Sequence, residues 1–440
     1  MTLAGILVDV RPLRESAAFR RLWVGNAISG LGATMAGFTL NWVVWSRTHS
    51  AAAVGLIGLA QLVPMLVFTL LGGHWADRYD RRRLVIVTRW AQLAVSATLA
   101  VAVIATTRQV VWLFPLIAVQ SALTSVSQPV TQAFIGTILG GERRSAALAL
   151  NHSTGQLNML LGPLIGGVTV AWWGPAGALI FNSVSFLAGI YGAFGLPSLG
   201  GTDSDAGGGA AGDAVRPLAQ IAAGIRFVTR TPIVAALLLA DLNAMVLAMP
   251  VALFPVLNSE RFGGSPATLG LLTPAIGLGG VLAGFFSGRI TRARRQGAVM
   301  VVASAVWGGA VAAAGLAPSL AAVLALLGIA GAADVASVVS RATIIQTVTP
   351  DEFRGRVSSL DFLVGAGGPR LGDLRAGFVA QLTSGWFSMA AGGALSASLA
   401  LVLAAAVPSL RRYRADATGE ADAAGVKDAT AAGTVASQAP

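Results

Sequence analysis

Long apolar runs alternate with short polar segments along this chain. A helix needs about 20 mostly apolar residues to cross a bilayer, and two sets of six runs reach that length. The first set lies near residues 22–45, 54–73, 84–106, 112–138, 149–172 and 176–197. The second set lies near residues 232–257, 267–288, 297–316, 319–343, 357–382 and 386–408. The pattern therefore predicts an all-α integral membrane protein with 12 transmembrane helices.

The segment between the two sets is polar. Residues 198–213 are rich in Gly, Ser, Thr and Asp, which predicts a flexible linker. Apolar residues then alternate with Arg, which predicts an interfacial amphipathic helix leading into the seventh span. The expected domains are an N-terminal six-helix half (1–197), a cytoplasmic linker with the amphipathic helix (198–231), a C-terminal six-helix half (232–409) and a disordered cytoplasmic tail (410–440).

The two halves repeat each other in sequence. Three residues of one loop recur 211 residues later: Gly73, Arg78 and Arg81 as Gly284, Arg289 and Arg292. Four residues of another recur 210 residues later: Glu142, Arg144, Leu150 and Asn151 as Glu352, Arg354, Leu360 and Asp361. A duplicated six-helix unit predicts pseudo-symmetric halves, with a substrate site near the midplane where they meet.

The arginines indicate the orientation of the spans. Nearly all of them fall in the segments that lie inside if both termini are cytoplasmic, and the opposite segments hold only Arg47, Arg108 and Arg261. The positive-inside rule therefore predicts a multi-pass protein of the cytoplasmic (inner or plasma) membrane with both termini in the cytoplasm. The bilayer surface accounts for the net charge of +11, so no nucleic-acid partner is predicted.

The composition excludes several classes of protein. Only 11% of the residues are charged, against about a quarter in soluble domains. The chain has no Cys and only three scattered His, so we predict no metal site and no cofactor. Its one Lys is Lys427, which excludes a phosphate-binding loop and hence a built-in ATPase. No nucleophile–His–acid set emerges, so the chain is not predicted to be an enzyme.

The loop after the second span carries the most specific motif. Residues 72–83 read Gly-Gly-His-Trp-Ala-Asp-Arg-Tyr-Asp-Arg-Arg-Arg. This segment resembles the loop between the second and third helices of the major facilitator superfamily, roughly G-x-x-x-D-R-x-G-R-R. The matching residues are Gly73, Asp77, Arg78, Arg81 and Arg82, whereas Asp80 stands where the family usually has Gly. The resemblance implies a gating latch between conformations; the alternative is an ordinary positive cytoplasmic loop.

A second motif lies in the fifth span. Its small and kinking residues are Gly155, Gly162, Pro163, Gly166 and Gly167, which predict a face that lets another helix approach closely. Generic packing of small residues is the alternative. Together with Phe-Asn-Ser-Val-Ser-Phe at 181–186, the G-P-x-x-G-G segment resembles exporters of the superfamily, and is most similar to the enterobactin-exporter and drug-efflux branches.

Charged residues also occur inside predicted spans, where they are costly and mark functional sites. They are Asp241, Asp334, Arg370, Asp373 and Arg375, which we assign to substrate binding or proton coupling. Two alternatives stay open. The charges of the eleventh span could neutralise one another, with Arg370 pairing Asp373. The carboxylates of Asp241 and Asp334 could instead pair with Arg341 or accept hydrogen bonds from neighbours such as Asn243. Arg89 and Arg341 lie near predicted cytoplasmic ends and are expected to snorkel to the membrane surface.

The resemblance implies a secondary active transporter. We expect a monomer that exports a siderophore- or drug-like small molecule by alternating access, with protons as the coupling ion in an antiport cycle. Many proton-driven members carry an Arg in the fourth span, which residues 112–138 lack, so coupling is assigned to carboxylates elsewhere. The alternatives are a lipid or lysolipid translocator of the same fold, and a non-transporting membrane receptor or scaffold.

Overall fold

The computed structural model describes residues 11–78, 80–105, 109–139, 141–196 and 217–413, and these are almost entirely helical. The predicted linker (198–213) and the tail beyond residue 413 lie outside the described residues. The helices before the linker are α1 (Arg11–Glu15), α2 (Ala17–Thr48), α3 (Ala51–Arg78), α4 (Arg81–Ala105), α5 (Leu113–Ile138) and α6 (Gly141–Phe194). Those after it begin with α7 (Pro217–Arg230), α8 (Pro232–Ala248), a 3₁₀ turn (Val251–Leu253), α9 (Phe254–Arg261) and α10 (Pro266–Gly284). The remainder are α11 (Ser287–Thr291), α12 (Gln296–Leu316), α13 (Leu320–Val348), α14 (Asp351–Leu382), α15 (Gly385–Ala406) and α16 (Pro408–Arg412).

Every predicted span has a helical counterpart, although ten helices of the described residues are long and apolar enough to count as candidate spans. Two features account for the difference. The fifth and sixth spans form one continuous element, α6, which changes direction at Gly174 with φ of 72° and ψ of 173°. Glycine accepts this left-handed φ without strain, and Pro175 then starts the next helical segment. The eleventh span, α14, is helical but carries too many charges to be counted.

The chain divides into two compact units. The first unit comprises Met1–Asp213, Val251–Gly277 and Asp373–Trp386, and the second comprises Ala214–Pro250, Leu278–Gly372 and Phe387–Pro440. Two segments that follow the linker in sequence thus belong to the first unit.

The first unit is organised around the pairing of α2 with α6. A β-carbon at Gly25 would lie 2.5 Å from the carbonyl oxygen of Ala188, and one at Gly192 would lie 2.8 Å from that of Arg21. Backbones can approach this closely only where the residues are small. Because no hydrophobic driving force acts between helices in a membrane, close packing of this kind stabilises their contact. The glycines of these two helices therefore fix their contact along much of their length.

The second unit repeats this principle with α12 and α15. A β-carbon at Gly308 would lie 2.7 Å from the carbonyl oxygen of Gly393.

The predicted amphipathic helix corresponds to α7, which packs on the start of α14 through stacked rings of Phe227 and Phe353, 4.6 Å apart. Arg226 and Arg230 on the same helix are exposed, as expected for a helix at the membrane surface.

Candidate functional site

A buried cluster of three charges lies in the second unit. The Arg341 guanidinium of α13 forms ion pairs with Asp241 of α8 through Nη1 and with Asp361 of α14 through Nε, the latter at 3.2 Å. The side chains of Arg341 and Asp241 are 7% and 5% exposed, whereas that of Asp361 is 30% exposed. The alternative in which a buried carboxylate pairs with Arg341 is thus confirmed for Asp241. The expected snorkelling of Arg341 is wrong, because its guanidinium is held inside by two carboxylates.

These three residues, the acidic triad, lie within the spans rather than at their ends. Asp241 and Asp361 come about 14 and 15 Å of helix rise after the starts of α8 and α14, and Arg341 about 10 Å before the end of α13. With all three groups ionised, one positive charge is shared by two negative charges. The triad then carries a net charge of −1, which one proton would neutralise.

Asp334 lies on α13 seven residues before Arg341. Seven residues are two helical turns, so the two side chains share a face of α13. Asp334 is half-buried, and it has no hydrogen-bond or ion-pair partner among the described residues. It is a third carboxylate, on the same face of α13 as Arg341.

The charged side chains of α14 form hydrogen bonds with backbone groups. Arg370 donates from Nη1 to the carbonyl oxygen of Ala366 at 2.6 Å, one turn earlier on its own helix. Asp373 Oδ1 accepts a hydrogen bond from the backbone N–H of Ala252 at 3.0 Å and so caps the 3₁₀ turn after α8. Arg375 is half-buried. The pairing of Arg370 with Asp373, and the roles of all three in substrate binding or coupling, stay predictions.

A polar network crosses the first unit. Arg89 of α4 donates from Nη2 to Asn26 Oδ1 on α2 at 2.8 Å, and from Nη1 to Ser29 Oγ at 3.4 Å. Gln92, one turn further along α4, accepts from Arg89 at 3.5 Å and donates to Thr124 Oγ1 on α5 at 3.1 Å. The expected snorkelling of Arg89 is wrong, because neutral acceptors on α2 hold the guanidinium inside the helix bundle.

The Phe-Asn-Ser-Val-Ser-Phe segment belongs to a neighbouring network. Asn182 Nδ2 and Ser183 Oγ both donate to Ser96 Oγ on α4, at 2.8 and 2.9 Å. Ser96 and Asn182 are buried, and Ser185 lies against Gly32 of α2. The segment therefore joins α6 to α4 through buried hydrogen bonds, which hold membrane helices together, and packs against α2 at Gly32.

The loop motif is described only in part. Gly73, Asp77 and Arg78 fall in the last turns of α3, and their side chains lie outside the described residues. Arg81 starts α4, and Arg82 donates from Nη2 to the carbonyl oxygen of Phe194 at 2.8 Å.

Asp80, the residue at which the loop departs from the family pattern, has a structural function. Its Oδ1 accepts a hydrogen bond from the backbone N–H of Arg83 at 2.8 Å. This is the geometry of an N-cap, and Asp is among the preferred capping residues. Asp80 therefore stabilises the start of α4.

The glycine motif of α6 lies in close contacts, with one exception. Gly162 lies against Thr34 of α2, and a β-carbon at Gly166 would lie 3.0 Å from the Phe38 ring of the same helix. On the other side, Gly167 meets α10, where a β-carbon would lie 2.7 Å from the carbonyl oxygen of Pro266 and 3.0 Å from Cα of Gly270.

Pro163 takes part in the same contact, since a β-carbon at Gly270 would lie 2.9 Å from its carbonyl oxygen. Gly155 departs from the expectation of close helix approach. Among the described residues, no atom lies within 4 Å of where its β-carbon would be.

Comparison with known proteins assigns the family. Residues 8–427 match the family described as transmembrane secretion effector, a branch of the major facilitator superfamily. The chain belongs to this family. It is therefore a multi-pass membrane transporter of the major facilitator type, and not an enzyme.

Curated relatives of this transporter include the enterobactin exporter EntS of Shigella boydii, 25% identical over 409 residues, which cover 93% of this chain and 96% of the relative. EntS of Escherichia coli O139:H28 is 24% identical over the same coverage. Among solved structures, the nucleoside transporter NupG aligns with a TM-score of 0.68 at 12% identity, covering 90% of this chain and all of that one. The peptide transporter POT in complex with alafosfalin aligns with a TM-score of 0.69 at 16% identity, covering 90% and 95%. These likenesses confirm the predicted fold of the transporter.

The sequence contained signals for parts of the transporter's polar sites that we did not predict. Asp361 stood out only as the counterpart of Asn151 in the repeat, although an acid replacing an amide inside a span is itself a signal. On α4, Arg89, Gln92 and Ser96 follow one another at spacings of three and four, which places them on one helix face. A polar face on an otherwise apolar span indicates contacts inside the bundle rather than with lipid.

Proposed function

We propose that this transporter exports a siderophore- or drug-like small molecule across the cytoplasmic membrane by alternating access, in exchange for protons. The observation that carries the coupling is the acidic triad, in which Arg341 is shared by Asp241 and Asp361 inside three spans. The direction and the class of substrate are supported by the enterobactin exporters, which this chain resembles over 93% of its length. Both termini would be cytoplasmic, consistent with the distribution of arginines, and the working unit would be a monomer.

The triad suits a proton carrier because its charge is unbalanced. A net charge of −1 inside the membrane is costly, and the uptake of one proton removes it. Protonation of Asp241 would also release its carboxyl group from Arg341, since a neutral carboxyl group gives up most of the Coulomb attraction. Proton uptake thus changes which carboxylate is paired with Arg341, and this change alters the packing of α8, α13 and α14. Asp334 would hand protons to or from the triad along the same face of α13.

The latch of the cycle is assigned to the loop motif of Gly73, Asp77, Arg78, Arg81 and Arg82. Asp77 would contact a helix N-terminus or a neighbouring Arg in one of the two conformations and release it in the other. The substrate site is proposed at the midplane, where transporters with repeated halves bind their cargo.

Uptake into inverted membrane vesicles tests this proposal, because an exporter fills the lumen of such vesicles. The vesicles carry an acid lumen, and enterobactin and ethidium are offered separately as a siderophore and a drug-like cation. We expect accumulation that a protonophore abolishes. Asp241→Asn removes the carboxylate that pairs with Arg341 and should abolish gradient-driven accumulation while leaving downhill equilibration. The matched control is Asp351→Asn, because Asp351 is an exposed acid paired with Arg354 on the first turn of α14.

Accumulation that survives the protonophore and Asp241→Asn would contradict proton coupling. The absence of movement for every compound, in protein that is folded and present in the membrane, would contradict the proposed export. Movement of a fluorescent lysolipid between leaflets would then identify a lipid translocator. Failure of that assay as well would leave the receptor or scaffold alternative.

A further inference from the structure

The first unit holds a guanidinium that lacks an acidic partner. The three acceptors around Arg89 are Asn26, Ser29 and Gln92, all of them neutral. In the part of the chain that the structure describes, no carboxylate lies within ion-pair distance of Arg89. The positive charge of Arg89 is therefore solvated by neighbours but not neutralised.

One donor of Arg89 also remains unused. Its Nε is buried and has no hydrogen-bond partner among the described residues. Helix α6 lies beside this donor at Gly189, where a β-carbon would lie 3.5 Å from Nε. Glycine leaves the space beside the guanidinium free of a side chain, so the group keeps both a charge and a free donor.

Arg89 lies too deep in its span for the membrane surface to neutralise it. It is eight residues after Arg81, the first residue of α4, which corresponds to about 12 Å of helix rise. The guanidinium points toward α2 and Gln92 instead of back along the helix. An Arg held within a span in this way is costly and is retained for function.

The same chain deals differently with its other buried arginine. Arg341 of the second unit is held by Asp241 and Asp361, two carboxylates for one guanidinium. In the sequence repeat, 211 residues on from Arg89 is Met300, which is fully buried. Arg89 is thus not one of a repeated pair of structural arginines, and the fold supplies no acid to it.

The network of Arg89 connects to a polar row on α5. Gln92 donates to Thr124, and Thr124, Gln128 and Gln132 follow at intervals of four residues and are all exposed. Exposed polar side chains at helical spacing within a span face water rather than lipid. A water-soluble ligand in contact with this row would be one side chain away from Arg89.

We propose that Arg89, with Asn26 and Gln92 beside it, binds an anionic oxygen group of the transported molecule, namely a carboxylate, a phenolate or a phosphate. The planar guanidinium matches such groups in geometry and charge. This inference rests on the proposed export function and narrows it, since it makes the substrate an anion. Binding supplies the missing negative charge and the missing acceptor together.

Ligand-dependent thermal stabilisation of the full-length protein in neutral detergent tests the inference. Salicylate and salicylamide are the probes, because they have nearly the same shape and differ in an ionised carboxylate. Ligand that binds the folded state raises the melting temperature as its concentration exceeds Kd. We expect salicylate to stabilise the wild-type protein and salicylamide to do so much less. Equal stabilisation by the two, or none by salicylate, would overturn the inference without the need for any variant.

Two variants identify the residue. Arg89→Gln keeps hydrogen-bonding capacity but removes the charge, and it should raise the Kd for salicylate about 10- to 100-fold, as expected for the loss of a charge-assisted hydrogen bond. Arg89→Lys should retain part of the discrimination. The control is Arg47→Gln, since Arg47 of α2 donates to the carbonyl oxygen of Val103 on α4 at 2.6 Å, away from this network. Loss of salicylate binding in Arg47→Gln as well would overturn the assignment to Arg89.

An anionic lipid presents the same oxygen chemistry, and the assay separates the two sources. Stabilisation by phosphatidylglycerol that depends on Arg89, with none by salicylate, would assign the guanidinium to a lipid phosphate and overturn the inference. Failure of the export function has a different signature. In that case salicylate still binds in an Arg89-dependent manner, but no compound accumulates in inverted vesicles.

Discussion

The acidic triad gives a sharp prediction about stability, because its three members are buried to different degrees. Arg341→Met removes the only cation from between two carboxylates. It leaves Asp241, 5% exposed, without a counter-ion, whereas Asp361, 30% exposed, is partly solvated. Asp241→Asn is milder, because Arg341 keeps its ion pair with Asp361 at 3.2 Å.

The magnitudes follow from the cost of an uncompensated buried charge. Removal of one partner of a buried ion pair typically costs about 3–5 kcal/mol, and we expect this for Arg341→Met. For Asp241→Asn and Asp361→Asn we expect about 1–3 kcal/mol each, the cost of a hydrogen bond lost to a charged group. The double variant Asp241→Leu with Arg341→Met removes both charges, and it should recover most of the loss, since apolar replacement of a buried pair is often neutral.

Equilibrium unfolding in detergent, followed by tryptophan fluorescence, measures these differences. Trp307 of α12 is buried in the second unit, which also contains the triad. The expected order of stability places wild type highest, the double variant close to it, then the two Asp→Asn variants, and Arg341→Met lowest. The single variant Asp241→Leu completes the comparison with Arg341→Met and the double variant. If the double variant loses as much free energy of unfolding as Asp241→Leu and Arg341→Met lose together, Asp241 and Arg341 do not interact and the reasoning is refuted.

Two other changes probe the motifs. Gly167→Val places a side chain against α10, where the first added carbon would lie 2.7 Å from the carbonyl oxygen of Pro266, so we expect a loss of about 1–3 kcal/mol in the same unfolding assay. Gly155→Val, with open space around it, is the control, and an equal loss there would show that the contact is not the cause. Asp77→Asn should lower the initial rate of substrate accumulation about tenfold with an unchanged melting temperature, as expected from one charge-assisted contact made in a single conformation. Unchanged transport would refute the latch.

The spans were predictable because the bilayer imposes a strong constraint. A run of about 20 apolar residues has few other uses, and each such run of this chain is helical. The junction in α6 was predicted as well, since the fifth span was expected to end at residue 172 and the sixth to begin at residue 176, on either side of Gly174. The N-cap at Asp80 was readable in principle, because an Asp directly before a helix is a start signal, but comparison with the family pattern made it look like a departure.

The pairing of charges was harder to predict because it depends on which helix faces which. Asp241, Arg341 and Asp361 lie on three different spans, and Asp241 is 100 residues from Arg341. A rule based on distance from the span end predicted that Arg341 and Arg89 would snorkel. It failed for both, because acceptors on other helices bind the two guanidinium groups. The sequence shows that a charge lies within a span and must be compensated, but it does not show which residue compensates it.

The two buried arginines, taken together, determine the charge that the proposed cycle moves. With its groups ionised, the acidic triad carries −1 and the Arg89 site carries +1. A proton neutralises the first and an anion the second, so each site is uncharged only when it is loaded. Exchange of one internal anion for one external proton then moves two charges inward per cycle. A membrane potential of 100 mV, negative inside, contributes about 2.3 kcal/mol per charge, so it drives export together with the proton gradient. The membrane potential and the proton gradient then both contribute to the driving force for anion export.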